Sequence, residues 1–288
     1  MAVLLVLWAR LADDRTANLA LLTAYAPLFW VCLYVRRRTI AGAVLATPAL
    51  LFLAFKTNLA LPFWPCTAIP IQQLSELVSF SWTALLALHI AYKLGSWGVA
   101  RYLITAGIYG LSLESSGIQM GFFTEPGYSF YFPFLDTPLV AVTGWITVFY
   151  PVMFLIRELQ TRWPTLLSYP TLSGILCGLA ALSIDLHLDP IATNLKLWIW
   201  NPRLTPFFQG VPLLNFTSWF FAVATFSSAC FWLDRLIQSR AKREGILLVA
   251  IPGIQALAGL FNFAMVALIE GSQSPGLILL REHIGRVL

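Results

Sequence analysis

Long apolar runs separated by short polar breaks dominate this chain. A bilayer core takes roughly 20 apolar residues as a helix. The pattern predicts helices near 18–35, 39–55, 74–92, 97–113, 136–156, 168–184, 211–233 and 246–269. The second is short and holds Pro48. Met1 to Leu11 is apolar but too short to span and lacks a small-residue cleavage site, so it reads as an interfacial or packed segment. The expected fold is all-α: a polytopic bundle of about eight transmembrane helices, one integral membrane domain over residues 1–288. No polar stretch is long enough to enclose a separate soluble core.

Two stretches of the pattern repeat at an offset of about seventy residues. Gly107-Ile-Tyr-Gly-Leu-Ser-Leu-Glu114 is echoed by Gly178-Leu-Ala-Ala-Leu-Ser-Ile-Asp185. Pro138-Leu-Val-Ala-Val-Thr-Gly-Trp145 is echoed by Pro212-Leu-Leu-Asn-Phe-Thr-Ser-Trp219. Between the members of each pair lie an acid followed by proline (Glu125-Pro126, Asp189-Pro190) and then many aromatics. The spacing predicts a parallel internal repeat with units at about 97–156 and 168–233.

Composition agrees with the helical reading. The chain is 59% hydrophobic and 11% charged, where a soluble domain carries about 25% charged residues. The net charge of +5 is spread among loops and gives no nucleic-acid signal. Cys32, Cys66, Cys177 and Cys230 are scattered, and read as small core hydrophobes. Basic residues alternate between loops. One side collects Arg36, Arg37, Arg38, Lys93, Arg101, Arg157, Arg162, Arg235, Arg240, Lys242 and Arg243. The positive-inside rule places that side in the cytoplasm. Both termini and the loops 56–73, 114–135 and 185–210 then face outward, and with them Glu76, Glu114, Glu125, Asp136, Asp185 and Asp189.

Acids have little influence on topology, so their clustering asks for another cause. Glu114 and Asp185 each follow an apolar helix with small residues on one face: Gly107, Gly110 and Ser112, or Gly178, Ala181 and Ser183. Small residues let helices approach closely in lipid, so both acids are expected in a packed interior. A carboxyl near apolar surroundings keeps its proton more readily and can act as an acid, while an ionised neighbour can act as a base. Aromatics crowd the same loops: Phe122, Phe123, Tyr128, Phe130, Tyr131, Phe132 and Phe134 in one, Trp198, Trp200, Phe207 and Phe208 in the other. An interfacial belt explains some of them. Ring faces also stabilise cations. Acids beside rings point to protonation of an alkene in a long apolar substrate, with a carbocation held until a nucleophile captures it.

Three histidines, His89, His187 and His283, are too few for a membrane di-iron enzyme, and no Gly-rich nucleotide loop occurs. Asp185-Leu-His-Leu-Asp189 is an Asp-x-x-x-Asp pair of the kind membrane prenyltransferases use to hold magnesium on a diphosphate, but no second such pair faces it. His89 lies within the third predicted span and is a functional candidate as an intramembrane ionisable residue. Lys56, Asn215, Gln255 and Asn262 are weaker candidates of the same kind.

At these residues the chain resembles the membrane carotenoid-biosynthesis family that includes carotenoid 1,2-hydratases and bisanhydrobacterioruberin hydratase. The likeness is sharpest in Asp185-x-x-x-Asp189-Pro190, Trp198-x-Trp200 and Gly210-Val-Pro-Leu-Leu-Asn-Phe-Thr-Ser-Trp219. It extends more loosely to Glu114, Gly117, Gly121, Tyr128 and Trp145 through Tyr150-Pro151. The family's Gly-Val-Pro reads Asp136-Thr-Pro138 here, and its Thr-Gly reads Met120-Gly121. The resemblance implies addition of water across the terminal C1–C2 double bond of an acyclic carotenoid, lycopene-like or C50, without metal or redox cofactor. The implied setting is a multi-pass protein of a prokaryotic cell membrane, with lipid and other enzymes of the pathway as neighbours.

The expected catalytic residues are Glu114, Asp185, Asp189 and Glu125: Asp185 or Glu114 as proton donor, Asp189 or Glu125 positioning water. Phe123, Tyr128, Tyr131, Trp198, Trp200, Asn215, Trp219 and His89 are expected to bind substrate. A cyclase would form the same cation and capture it internally. A prenyltransferase or a carotenoid-binding or transport protein are the remaining alternatives.

Overall fold

A computed structural model describes residues 70–164 and 168–287. The first two predicted spans, the N-terminal segment and Cys32, Lys56 and Cys66 lie outside the described residues. Within them the protein is all-helical, with two small two-stranded sheets at one end. The order is α1 (Ile71–Val99), a π-helical segment (Ala100–Thr105), α2 (Ala106–Gln119), β1 (Phe123–Thr124), α3 (Leu139–Arg162), α4 (Pro170–Asn194), β2 (Ile199–Trp200), β3 (Pro206–Phe208), β4 (Val211–Pro212), α5 (Leu213–Leu236), α6 (Arg240–Glu270) and α7 (Pro275–Val287). Five helical stretches are long and apolar enough to cross a membrane, so this is an integral membrane protein.

The first stretch, Ile71–Gln119, is 49 residues long, but it is not one rod. Gly95 breaks it with φ 68 and ψ −168, a conformation that L side chains rarely adopt. Contacts with α3 give the direction on each side of the break. Before Gly95, Ser79 bonds Thr143 at 2.8 Å and His89 bonds Tyr150 at 2.5 Å, so α1 runs parallel to α3. After it, Tyr102 packs on Tyr150 and Glu114 bonds Trp145, so α2 runs antiparallel to α3. The chain therefore reverses at Gly95, giving two rods of ~36 Å each at 1.5 Å per residue. The break falls inside the 92–97 gap between two predicted helices.

Proline and serine set several helix starts. Pro138 and Pro212, both extended, immediately precede α3 and α5. Pro170 opens α4 at its first turn, where its missing N–H costs nothing. Ser239 caps α6 by accepting from the Lys242 N–H, and Gly271 at φ 85 ends it.

The closest helix pair is α4 on α5. A Cβ added to Gly174 would meet Ser228 Oγ at 1.9 Å and the Ala224 carbonyl at 2.7 Å. One on Gly178 would meet the Phe220 carbonyl at 2.7 Å. Without an apolar driving force in lipid, such close approach supplies the packing energy. The core between helices is aromatic: Tyr109, Phe149 and Phe226 are each almost fully enclosed, with ring centroids 4.7 to 5.7 Å apart. Cys177 and Cys230 are buried free thiols in the same core.

The basic residues gather at the end of the bundle opposite the sheets. There Arg101 holds Glu244 at 2.6 Å and Asp234 at 2.9 Å, Arg243 reaches Asp234 at 3.2 Å, and Arg157 also bonds Asp234. Two acids thus lie within the basic end and neutralise part of it.

Candidate active site

Hydropathy ends the second and fourth described helices at Glu114 and Asp185, but both continue. α2 runs on to Gln119 and α4 to Asn194, with Pro190 inside α4. Glu114, Asp185 and Asp189 are therefore helical residues and not loop residues. The physical reason is a cavity: these helix faces turn inward, where a carboxyl finds other polar groups instead of acyl chains. Asp185 and Asp189, four residues apart, share one face of α4.

Two turns into α3 and two turns into α5, Trp145 and Trp219 meet with ring centroids 4.7 Å apart. Each lies seven residues after the proline that starts its helix. Trp145 Nε1 donates to Glu114 Oε2 at 2.7 Å. A Cβ at Gly110 would collide with Trp145 at 2.6 Å, so the glycine is what lets the indole lie against α2. On α5, the Asn215 amide donates to both Asp185 oxygens at 3.2 Å and to Asp189 Oδ2. Asp185 and Asp189 thus share the Asn215 amide, one helical turn apart on α4.

Glu125 enters from the loop before α3 and is 5% exposed. Its carbonyl accepts from Tyr131 Oη at 2.6 Å, and its Oε2 has no hydrogen-bond partner. Burial, then the facing Glu114 and Asp189 carboxyls, push its carboxyl well above the usual carboxylate range. The four expected acids thus converge from two helices and a loop into one cluster.

The two loops that carry the aromatics are tied together. β1 pairs antiparallel with β2, Phe123 opposite Trp200 and Thr124 opposite Ile199. Asn201 extends the tie, its N–H donating to Phe122 O at 2.8 Å and its amide to Gly121 O at 2.7 Å. Gly121 and Gly210 turn the chain at φ 75 and 84. Glu76 anchors the segment after Glu125 by accepting from Ser129 and Phe130 N–H at 2.8 and 3.0 Å. That acid, grouped by sequence with the others, serves the loop backbone, and Asp136 stays exposed.

A cavity of about 750 Å³ lies under these loops. Glu114, Glu125 and Asp189 face it, as do Phe123, Tyr128, Trp198, Trp200, Asn215 and Trp219. Three expected residues do not line it. Asp185 is fully buried behind Asp189. Tyr131 supports the Glu125 backbone from outside. His89 sits deeper, bonded to Tyr150 and packed on Phe154, because its helix turns that face toward α3.

Sequence reasoning missed Trp145 as the partner of Glu114, although its match with Trp219 in the repeated segments carried the signal. It also missed Trp82 on the cavity wall, and Ser112 and Ser116 as the partners of Gln255.

No curated protein and no solved structure matches the chain. The family described as carotenoid biosynthesis protein matches residues 75–279, a stretch that contains the whole cavity apart from Leu280. With well over half of its length matched, the chain belongs to that carotenoid biosynthesis family.

Proposed function

We propose that the protein is a carotenoid hydratase, adding water across the terminal C1–C2 double bond of an acyclic carotenoid end group. The observation that carries this reading is the meeting of three carboxyl groups, with Asp185 buried behind them, at the wall of a cavity lined by tryptophans. The pairs α2 with α3 and α4 with α5 supply the two sides of that site. Glu114 and Asp185, and likewise Trp145 and Trp219, stand at corresponding positions of the repeated sequence segments.

Glu125 is the proton donor in this mechanism. Its proton passes to C2 of the substrate, leaving a tertiary cation at C1. The rings of Trp145, Trp219 and Trp198 offer their faces to that cation, an attraction of about 2 kcal/mol or more in a dry site. Water attacks C1 and gives its proton to the Asp185–Asp189 pair, oriented by Asn215. Return of a proton from the pair to Glu125 resets the site, and the sum is one water added. Glu114 is held by Trp145 at the wall beside the cation. This inverts the role expected for Glu125 and keeps Asp189 on water.

The acid cluster and the loops lie on the outer face if the basic end faces the cytoplasm, as the positive-inside rule requires. Water then reaches the cluster from the outer interface while the polyene occupies the bilayer.

Expression in a lycopene-producing host, followed by mass analysis of the pigments, tests the activity. A gain of one water per reacted end supports hydration. An unchanged mass with an altered spectrum identifies a cyclase, and unchanged pigment leaves only binding or transport.

A further inference from the structure

Trp198 and Trp200 both border the cavity, but their indole N–H groups differ. Trp200 Nε1 donates to Thr193 Oγ1 at 3.0 Å. Trp198 Nε1 is buried and has no hydrogen-bond partner among the described residues. A buried N–H without an acceptor is a standing cost. Two carboxyl oxygens on the same cavity are in the same condition: Glu125 Oε2 and Asp189 Oδ1. Their residues are 5% and 2% exposed. Asn215 engages the other oxygen of Asp189, Oδ2.

The register of the small sheet brings two of these atoms together. Phe123 stands opposite Trp200, and Thr124 opposite Ile199. Carried one residue further, the register sets Glu125 opposite Trp198. Side chains alternate along a strand, so Glu125 and Trp198 share the face of Phe123 and Trp200. Thr124 and Ile199, on the other face, are exposed. The Asn201 N–H bond to Phe122 O marks a hydrogen-bonded pair. Glu125 and Trp198 then fall at a non-bonded pair, where facing Cβ atoms are about 4.5–5.5 Å apart. Asp189 reaches the same cavity from α4, near enough to the Glu125 carboxyl for their charges to interact.

One N–H donor and two carboxyl oxygens match a single small ligand. A hydrocarbon satisfies none of them. A water accepts from the indole and donates to both oxygens, about three hydrogen bonds in all, as buried waters usually make. It keeps one lone pair free.

We infer that the attacking water is held between Trp198 Nε1, Asp189 Oδ1 and Glu125 Oε2, with Trp198 as its positioning residue. This rests on the hydratase reading. The free lone pair forms the bond to C1. The O–H bond toward Asp189 breaks and its proton passes to Oδ1, while the other hydrogen stays on the alcohol oxygen. C2 takes its proton from the other oxygen of Glu125, so the sum is one water added. The indole N–H gains and loses nothing: it fixes where the oxygen stands.

The test uses the full-length protein in lipid nanodiscs, with lycopene as probe in heavy water. Hydration is read as the mass gain of one water. A cation that forms and then returns by losing a proton from C2 is read as deuterium in recovered lycopene. Trp198→Phe keeps a ring face and loses the donor. A misplacement of about 1 Å costs on the order of a hundredfold, so hydration should fall roughly ten- to a hundredfold. Deuterium uptake into unhydrated lycopene should rise, because the cation still forms and waits longer for capture. A merely structural defect lowers both together. Hydration within a factor of two of wild type overturns the inference, as does a parallel fall in hydration and exchange. A second measurement needs no variant. A cryo-electron microscopy map of the wild type that resolves waters should show density within about 3 Å of Trp198 Nε1 and Asp189 Oδ1. No density there overturns the inference even if the phenylalanine variant does not fold. If the density is present but wild type neither hydrates lycopene nor exchanges deuterium, the hydratase reading fails and the water site stands.

Discussion

Trp145 joins two functions in one ring: its N–H fixes the Glu114 carboxyl at 2.7 Å, and its face meets Trp219 at 4.7 Å. The acid and the tryptophan wall of the cavity are thus mechanically one unit. Trp145→Phe keeps a ring but loses the donor. A hydrogen bond is worth about 0.5–1.5 kcal/mol net, so on the proposed mechanism the hydration rate should fall roughly three- to tenfold, with the fold intact by circular dichroism. A rate within a factor of two of wild type would show that Glu114 does not depend on this bond.

Glu125 predicts the pH profile. Its carboxyl titrates well above the usual range because it is buried beside two other acids. As a proton donor it is active when protonated, so turnover should hold at low pH and fall as pH rises through its raised value. The same shift acts on stability. Folding favours the protonated form, so this contribution is full below about 4.3, the unfolded value, and is lost as pH rises through the folded value. Glu125→Gln should abolish turnover and flatten the corresponding limb of the stability profile. A variant that retains the wild-type pH–rate curve removes Glu125 from the donor role.

Gly178 is where α4 touches the α5 backbone. Valine there must displace the Phe220 carbonyl, which side-chain rotation cannot relieve. The expected loss is at least about 1–3 kcal/mol, the range for overpacking, read as a lower midpoint of thermal unfolding in detergent. Gly144→Ala meets nothing within 4 Å and should leave that midpoint unchanged.

At the basic end, Arg101→Leu would strand the buried Glu244 and remove one of the three arginine partners of Asp234. Removing one partner of a buried ion network costs about 3–5 kcal/mol. The double change Arg101→Leu with Glu244→Leu should recover part of that loss. A single variant as stable as wild type would show that the remaining arginines, Arg157 and Arg243, satisfy both acids.

Much of the bundle was legible because hydropathy reports lipid exposure. The predicted span 136–156 became Leu139–Arg162, and 211–233 became Leu213–Leu236. The rule fails where a helix face turns to a cavity. There Glu114, Asp185 and Asp189 continue helices that hydropathy ends. α7 escaped because it is amphipathic: Leu277 and Leu279 are buried while Arg281, Glu282 and Arg286 are exposed. The convergence of the four acids was foreshadowed by the repeated segments. The facing direction of His89 and Tyr131 was not, since it depends on which neighbour each helix or loop meets. The β1–β2 pair, two residues a strand with partners more than seventy positions apart, leaves no periodic trace.

The β1–β2 pairing links the mouth of the cavity across its two sides. Phe123 and Trp200 are opposite partners in one ladder, and their rings also touch at 5.3 Å. Neither loop can swing aside without breaking backbone hydrogen bonds to the other. The roof over the acids therefore moves as a single plate. On the proposed hydratase reading, the long product need not lift that plate: it leaves sideways into lipid while the roof stays shut.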